Sequence, residues 1–164
     1  MNTGVQRSSL TPIGAHTTNS PAGTASYGKK NPKKNLFEIM IAHRIPYAAT
    51  ASSAYPYDFM NKMEKTKSIK GPKFIHIMCP CPTGWGFASD LTVEIGKLAV
   101  ETGMWYLAEY ENGKVKMNVV PKALKPVEEY LKTQRRFRHL TADNIQMIQE
   151  HRDSEWKLIR EKWL

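Results

Sequence analysis

The chain has 164 residues, 41% hydrophobic and 24% charged, the balance of one globular domain long enough to bury a core. No apolar run approaches about 18 residues, which excludes a membrane-spanning helix, and no charged-then-apolar leader opens the sequence. Two cysteines, Cys79 and Cys81, exclude a disulfide scaffold and point to a reducing, cytoplasmic compartment.

The formal net charge of +9 invites a nucleic-acid reading, but its distribution argues against one. Residues 1–37 carry Arg7, Lys29, Lys30, Lys33 and Lys34 and no acid, so more than half of the excess sits in one segment. Beyond it acids and bases alternate. RRFRH at 135–139 is a local basic run, yet no groove-reading motif accompanies it. A solvated or partner-facing surface is the better reading of these charges.

Residues 1–34 are rich in Gly, Pro, Ser, Thr and Asn and lack apolar periodicity. Taken alone they read as a disordered arm or, more weakly, an organellar transit peptide, against which Pro12, Gly14, Pro21 and a single arginine count. Asn35, with Glu38 three residues on, predicts a capped helix with Leu36, Ile39, Met40 and His43 on one face, stopped near Ile45 by Pro46. YAATAS at 47–52 reads as a short strand of small residues. Pro56 suits the first turn of a second helix, in which Phe59 and Met63 stack four apart. After the Gly71-Pro72 break, residues 74–78 read as a buried parallel strand.

Ser89 or Asp90 caps a third helix carrying Leu91, Ile95, Leu98 and Ala99 on one face, and Gly103 ends it. Asn112-Gly113 predicts a two-residue hairpin between strands at 105–110 and 115–120. A helix runs from Pro126 to about Arg136. Thr141 caps a last one with Ile145, Ile148, Trp156, Ile159 and Trp163 on a stripe that reads as core or interface. Alternating helix and strand implies parallel βαβ units and an α/β class. Two parallel strands are too few for a doubly wound sheet, so the chain reads as half of one with a β-hairpin and terminal helices appended. The expected division is an arm at 1–34, βα units at 35–104 and the appendage at 105–164.

The loop after the second strand, CPCPTGWGF at 79–87, occupies the place where ligands sit in open α/β sheets. Its thiols read either as packing residues or as metal ligands. A disulfide between them is disfavoured, because alternate residues of an extended chain lie near the upper limit of disulfide Cα spacing and Pro80 stiffens the link. A zinc or iron–sulfur site normally needs four ligands, and the chain has no second cysteine pair. Any cluster here must borrow ligands from elsewhere.

Three stretches, MNTGVQRSSLTPIGAHTTNSPAG at the start, IPYAATASSAYP in the middle and PCPTGWGF in the loop, together resemble one family. It is the thiamine-diphosphate (β) subunit of the 2-oxoacid:ferredoxin oxidoreductases, pyruvate:ferredoxin oxidoreductase (pyruvate synthase) among them. The resemblance covers the whole chain and corresponds to the C-terminal half of that subunit. It implies oxidative decarboxylation of a 2-oxoacid such as pyruvate, transfer of the acyl group to coenzyme A, and electron transfer to ferredoxin through a [4Fe–4S] cluster. It implies thiamine diphosphate and Mg²⁺ as further cofactors, shared with a missing N-terminal half, and α, γ and δ-type subunits as partners.

Residue by residue, the resemblance assigns Cys81 as one ligand of the cluster and leaves Cys79 as packing beside it. Asn2, Thr3 and Gly4 become the turn beside the thiamine, with the Asn2 amide near the reacting centre and Gln6 and Arg7 supporting the turn. The GAHTTNSP segment becomes an ordered arm lining the cofactor cleft and touching a partner. The family's Gly-Asp-Gly signature for magnesium and diphosphate, its CxxC pair and its third cysteine are absent, and His16 and Cys79 depart from its pattern. The chain therefore reads as a truncated gene, a fragment or a split subunit, inactive alone. The alternatives are a non-catalytic basic assembly module, or a thiol-based metal-binding protein using Cys79 and Cys81 equally.

Overall fold

A computed structural model describes residues 4–23 and 25–164. Its centre is strand β1 (Tyr47–Ser52), all six residues of which are buried. Small side chains dominate it: Ala48, Ala49 and Ala51 are fully buried, and flanking elements approach closely. Helix α1 (Leu36–Ala42) precedes β1, and its N-cap Asn35 accepts a hydrogen bond from the Glu38 amide at 3.2 Å, as the sequence predicts. The buried contact from α1 is Phe37, however, while Ile39 is exposed. The helix also ends at Ala42, before a left-handed Arg44 (φ 55°), rather than near Ile45.

Helix α2 (Pro56–Ser68) carries the chain to strand β2 (Lys73–Met78), which pairs in parallel with β1 from Tyr47↔Lys73 to Ser52↔Met78. A four-residue helix, α3 (Pro82–Trp85), follows in the cysteine loop, and a 3-10 turn (Ser89–Leu91) leads into α4 (Thr92–Glu101). Strands β3 (Leu107–Glu111) and β4 (Lys114–Val119) form the predicted hairpin, with Asn112 (φ 46°) and Gly113 (φ 91°) both left-handed as its turn requires. The hairpin lies inside the sheet: β3 pairs antiparallel with β1, and the order is β2-β1-β3-β4. The result is an α/β fold on a four-stranded mixed sheet.

Helix α5 (Val127–Lys132) stops short of the expected Arg136. Gln134 turns extended and its side-chain amide donates to the Tyr130 carbonyl, so residues 135–137 start a separate 3-10 turn. The last helix, α6 (Ala142–Trp163), opens with a capping box between Thr141 and Asn144 and lays Ile148, Trp156 and Ile159 into the core. One core cluster gathers Trp85, Ile95, Leu98, Leu107, Leu131 and Ile148, and a second gathers Phe37, Ala48, Ala108, Trp156 and Ile159. Among the described residues no helix is long and apolar enough to cross a membrane.

Strand β2 departs most from its expected environment. A buried parallel strand is predicted, yet none of its six residues is buried, and Ile77 is 39% exposed. The reason is its place at the sheet's edge, with β1 on one side and no strand among the described residues on the other.

A tight joint between α4 and α6 gives a direct test of this packing. Gly103 is left-handed (φ 71°), a Cβ there would fall 2.3 Å from Trp156 Nε1, and that nitrogen donates to the Gly103 carbonyl at 2.8 Å. Gly103→Ala should lower stability by about 2–3 kcal/mol, read as a fall in denaturant midpoint at unchanged slope.

Candidate functional site

The cysteine loop is shaped by its own sequence. Pro80 is buried, Pro82 starts α3, and the Trp85 amide closes back on the Cys81 carbonyl at 2.9 Å. Gly86, left-handed at φ 73°, ends the turn, with its amide donating to the Pro82 carbonyl at 2.8 Å. Cys81 caps the helix through its sulfur, which accepts the Gly84 amide at 3.4 Å. Both thiols are free. Cys81 is half-buried and held by this contact, whereas Cys79 is exposed.

The N-terminal arm closes over this loop. Gly4 is left-handed (φ 81°) and lies backbone to backbone with Gly84: a Cβ on Gly4 would fall 2.0 Å from the Gly84 carbonyl oxygen. Any other residue at position 4 must push the arm off the loop. The arm itself is folded around Lys29, whose buried ammonium donates to the carbonyls of Ser9 (3.2 Å), Thr11 (2.6 Å) and Pro32 (3.1 Å). Burial, then Arg7 and Lys34, lower the pKa of Lys29. A disordered arm does not describe this segment, and Lys29 departs from the solvated reading of its charges, whereas Arg7, Lys30 and Lys34 are exposed as that reading expects. Asn2 and Thr3, the other expected cofactor contacts, lie outside the described residues; Gln6 and Arg7 are exposed, Arg7 reaching the Ser20 carbonyl at 3.3 Å.

From the opposite side comes the basic run at 135–139, read from sequence as surface. Arg136 is only 3% exposed. Its guanidinium stacks 3.8 Å from the Trp85 ring and donates to Gln134 Oε1 at 2.9 Å and the Tyr130 hydroxyl at 3.3 Å. Burial lowers its pKa to about 10, opposed by Tyr130 and by Cys81, so it stays charged at neutral pH and feels the thiol. Its carbonyl accepts the His16 amide at 2.9 Å, and the Arg135 amide donates to the Gly86 carbonyl at 3.0 Å. His16 accepts the Ala22 amide through Nδ1 at 3.0 Å, a bond internal to the arm. The cysteine loop is thus clamped between arm and RRFRH turn. Sequence reasoning placed Gly4 and Cys81 in one site but missed Lys29, Trp85 and Arg136, because the contacts that bury them are not written in a local motif.

Beside the loop a cavity of about 500 Å³ runs along β2, lined in part by Phe74, His76, Met78, Cys81, Trp105 and Lys33. The Lys33 ammonium sits 4.4 Å from the Trp105 ring centre, and the His76 ring meets the same indole edge-on at 4.8 Å. Burial and then Lys29 pull the Lys33 pKa down to about 8, with Glu155 opposing. Burial, with Lys33 adding to it, pulls His76 to about 4, so the imidazole is neutral at pH 7. Among the described residues no three His, Cys, Asp or Glu side chains converge on one point.

No protein-family model matches the sequence. Curated relatives do. The chain is 54% identical over 160 residues to the pyruvate synthase subunit PorB of Methanothermobacter marburgensis, covering 98% of this chain and 56% of that subunit. It is 54% identical over 159 residues to the PorB of Methanocaldococcus jannaschii, covering 97% of this chain and 53% of that one. To the ketoisovalerate oxidoreductase subunit VorB of Pyrococcus furiosus it is 51% identical over 162 residues, covering 98% of this chain and 52% of the subunit.

Two outcomes follow from the geometry. Gly4→Ala should unseat the arm and lower stability by about 2–3 kcal/mol, whereas Val5→Ala, at an exposed neighbour, should stay within about 0.5 kcal/mol; thermal melts compare them. For Lys33 the sign is fixed by linkage. Its folded pKa lies below the unfolded value of 10.5, so between about pH 8 and 10.5 the unfolded chain holds the extra proton and stability rises with pH. Lys33→Met should be the more stable form at pH 7, by at most about 3 kcal/mol, and that advantage should shrink toward pH 10.

The motifs that meet at Cys81 and the matches along 98% of the sequence give the same answer: the chain is homologous to the PorB and VorB subunits of the 2-oxoacid:ferredoxin oxidoreductases and spans about half the length of the curated relatives it matches.

Proposed function

We propose that this chain is the C-terminal portion of the thiamine-diphosphate-binding β subunit of a cytoplasmic 2-oxoacid:ferredoxin oxidoreductase acting on pyruvate. The observation that carries this reading is the Gly4–Gly84 contact, which brings the glycine of the NTG motif against the loop that holds Cys81. Pyruvate is the substrate we assign on the two pyruvate synthase subunits at 54% identity.

In this reading Cys81 supplies one thiolate to a [4Fe–4S] cluster, and the rest of the subunit supplies the other ligands and the carboxylate that anchors Mg²⁺ and diphosphate. When bound, thiamine diphosphate provides the electron sink for decarboxylation, and the cluster relays electrons to ferredoxin while the acyl group passes to coenzyme A. The residues of this chain orient and insulate. The Gly84 amide fixes the Cys81 sulfur, and Pro80 and Pro82 stiffen the backbone on either side. Arg136, stacked on Trp85, holds the loop from the far side. Gly4 lets the backbone of the turn approach, and we assign Asn2 and Thr3 to contacts with cofactor and substrate. The N-terminal half of the subunit, together with α, γ and δ-type subunits, completes the enzyme, and this chain alone is inactive.

Cysteine variants separate this reading from a thiol carrier. In the complex purified anaerobically from the source, Cys81→Ser should abolish the paramagnetic signal of one reduced cluster while Cys79→Ser retains it. Equal losses would favour a two-thiol metal carrier. Retention of every cluster signal in Cys81→Ser would refute the ligand assignment.

A further inference from the structure

The function proposed above gives the Cys81 sulfur a target, and the loop must aim it. The half-buried thiol fits a cluster ligand, since its sulfur already accepts the Gly84 amide at 3.4 Å. That bond fixes the sulfur relative to α3, which has only four residues. So short a helix owes its orientation to tertiary contacts. On the side away from the arm those contacts lead to the 3-10 turn at 135–137. The Gly86 carbonyl accepts the Arg135 amide at 3.0 Å, and a Cβ on Gly86 would fall 2.5 Å from the Arg135 Cβ. The Arg136 guanidinium lies 3.8 Å from the Trp85 ring centre, with the Phe137 ring 4.8 Å away.

The plane of that guanidinium is itself pinned. Its Nε donates to Gln134 Oε1 at 2.9 Å and its Nη2 to the Tyr130 hydroxyl at 3.3 Å, and all three side chains are buried. Gln134 is tied in turn to the Tyr130 carbonyl at 2.7 Å. We propose that Arg136 is the positioning residue for Cys81: its plane, set by Gln134 and Tyr130, fixes the Trp85 indole and through it the orientation of α3 and of the sulfur. The role of that sulfur rests on the function proposed above, whereas the positioning rests on the geometry alone. Lysine at this place would keep the charge but lose the flat, forked face that stacks and donates.

Two readouts test this, one on the chain alone and one on the complex purified anaerobically from the source. In the chain alone, alkylation of Cys81 by iodoacetamide, scaled to the exposed Cys79, should quicken by at least about tenfold in Arg136→Met. Arg136→Lys should behave like Arg136→Met. Tyr130→Phe removes one acceptor while keeping the buried ring, and should quicken the reaction by a smaller factor. In the complex, Arg136→Met should change the line shape of the reduced cluster's paramagnetic signal and weaken iron retention against a chelator by about 10–100-fold. Arg152→Met is the control, because it removes a similarly buried cation that bonds the Thr102 and Lys125 carbonyls, away from the loop. It should lower the melting temperature and leave both readouts at their wild-type values. Wild-type alkylation in Arg136→Met and Tyr130→Phe overturns the proposal. So does a wild-type rate in Arg136→Lys, which would make charge the cause, or an equal loosening of Cys81 in Arg152→Met. Faster alkylation in the chain with no cluster in the complex keeps the positioning and discards the ligand role. A cluster signal lost in Cys81→Ser but untouched in Arg136→Met does the reverse.

Discussion

The backbone of Gly4 approaches that of Gly84 so closely that a single methyl group on Gly4 would fall 2.0 Å from the Gly84 carbonyl oxygen. The rest of the site hangs on this approach. The arm that carries Gly4 is held in shape by the Lys29 ammonium and its three carbonyl acceptors. On the far side Arg136 performs the matching task, stacked on Trp85 and tied through its own carbonyl to His16 of the arm. Arm, loop and RRFRH turn are thus three segments distant in sequence whose positions are fixed by backbone hydrogen bonds and two buried cations.

Buried cations recur throughout the fold. Lys62 reaches through the sheet layer to the Thr50 carbonyl at 2.8 Å and Asp58 at 2.7 Å, and Arg152 of α6 donates to the carbonyls of Thr102 and Lys125. A buried charge without such partners would cost several kcal/mol, so each of these side chains commits the segments it bridges to one arrangement. Lys33 differs: its ammonium lies over an aromatic face, the ring of Trp105.

Much of this was legible in the sequence. The bounds of β1, the Asn112-Gly113 turn, the Asn35 and Thr141 caps and the Gly103 stop each rest on local chemistry that a few residues declare. What was not legible depends on distant partners. Phe37 replaces the expected Ile39 in the core because the helix face is chosen by Trp163 and Tyr106, far along the chain. Lys29 and Arg136 read as surface because hydropathy does not know which groups will surround them. β2 read as buried because its composition suits a sheet interior, and its exposure here marks an edge. In the site, the two motifs around Gly4 and Cys81 were readable separately, and the contact that joins them was not.

The measurement that bears most directly on the central claim is native mass spectrometry of the chain, tagged at its C terminus and purified anaerobically from its source. If the chain is one portion of a 2-oxoacid:ferredoxin oxidoreductase, it runs with a second polypeptide that completes the subunit, with thiamine diphosphate and with iron. A chain that runs alone, with neither cofactor, contradicts that account and leaves the homology as ancestry.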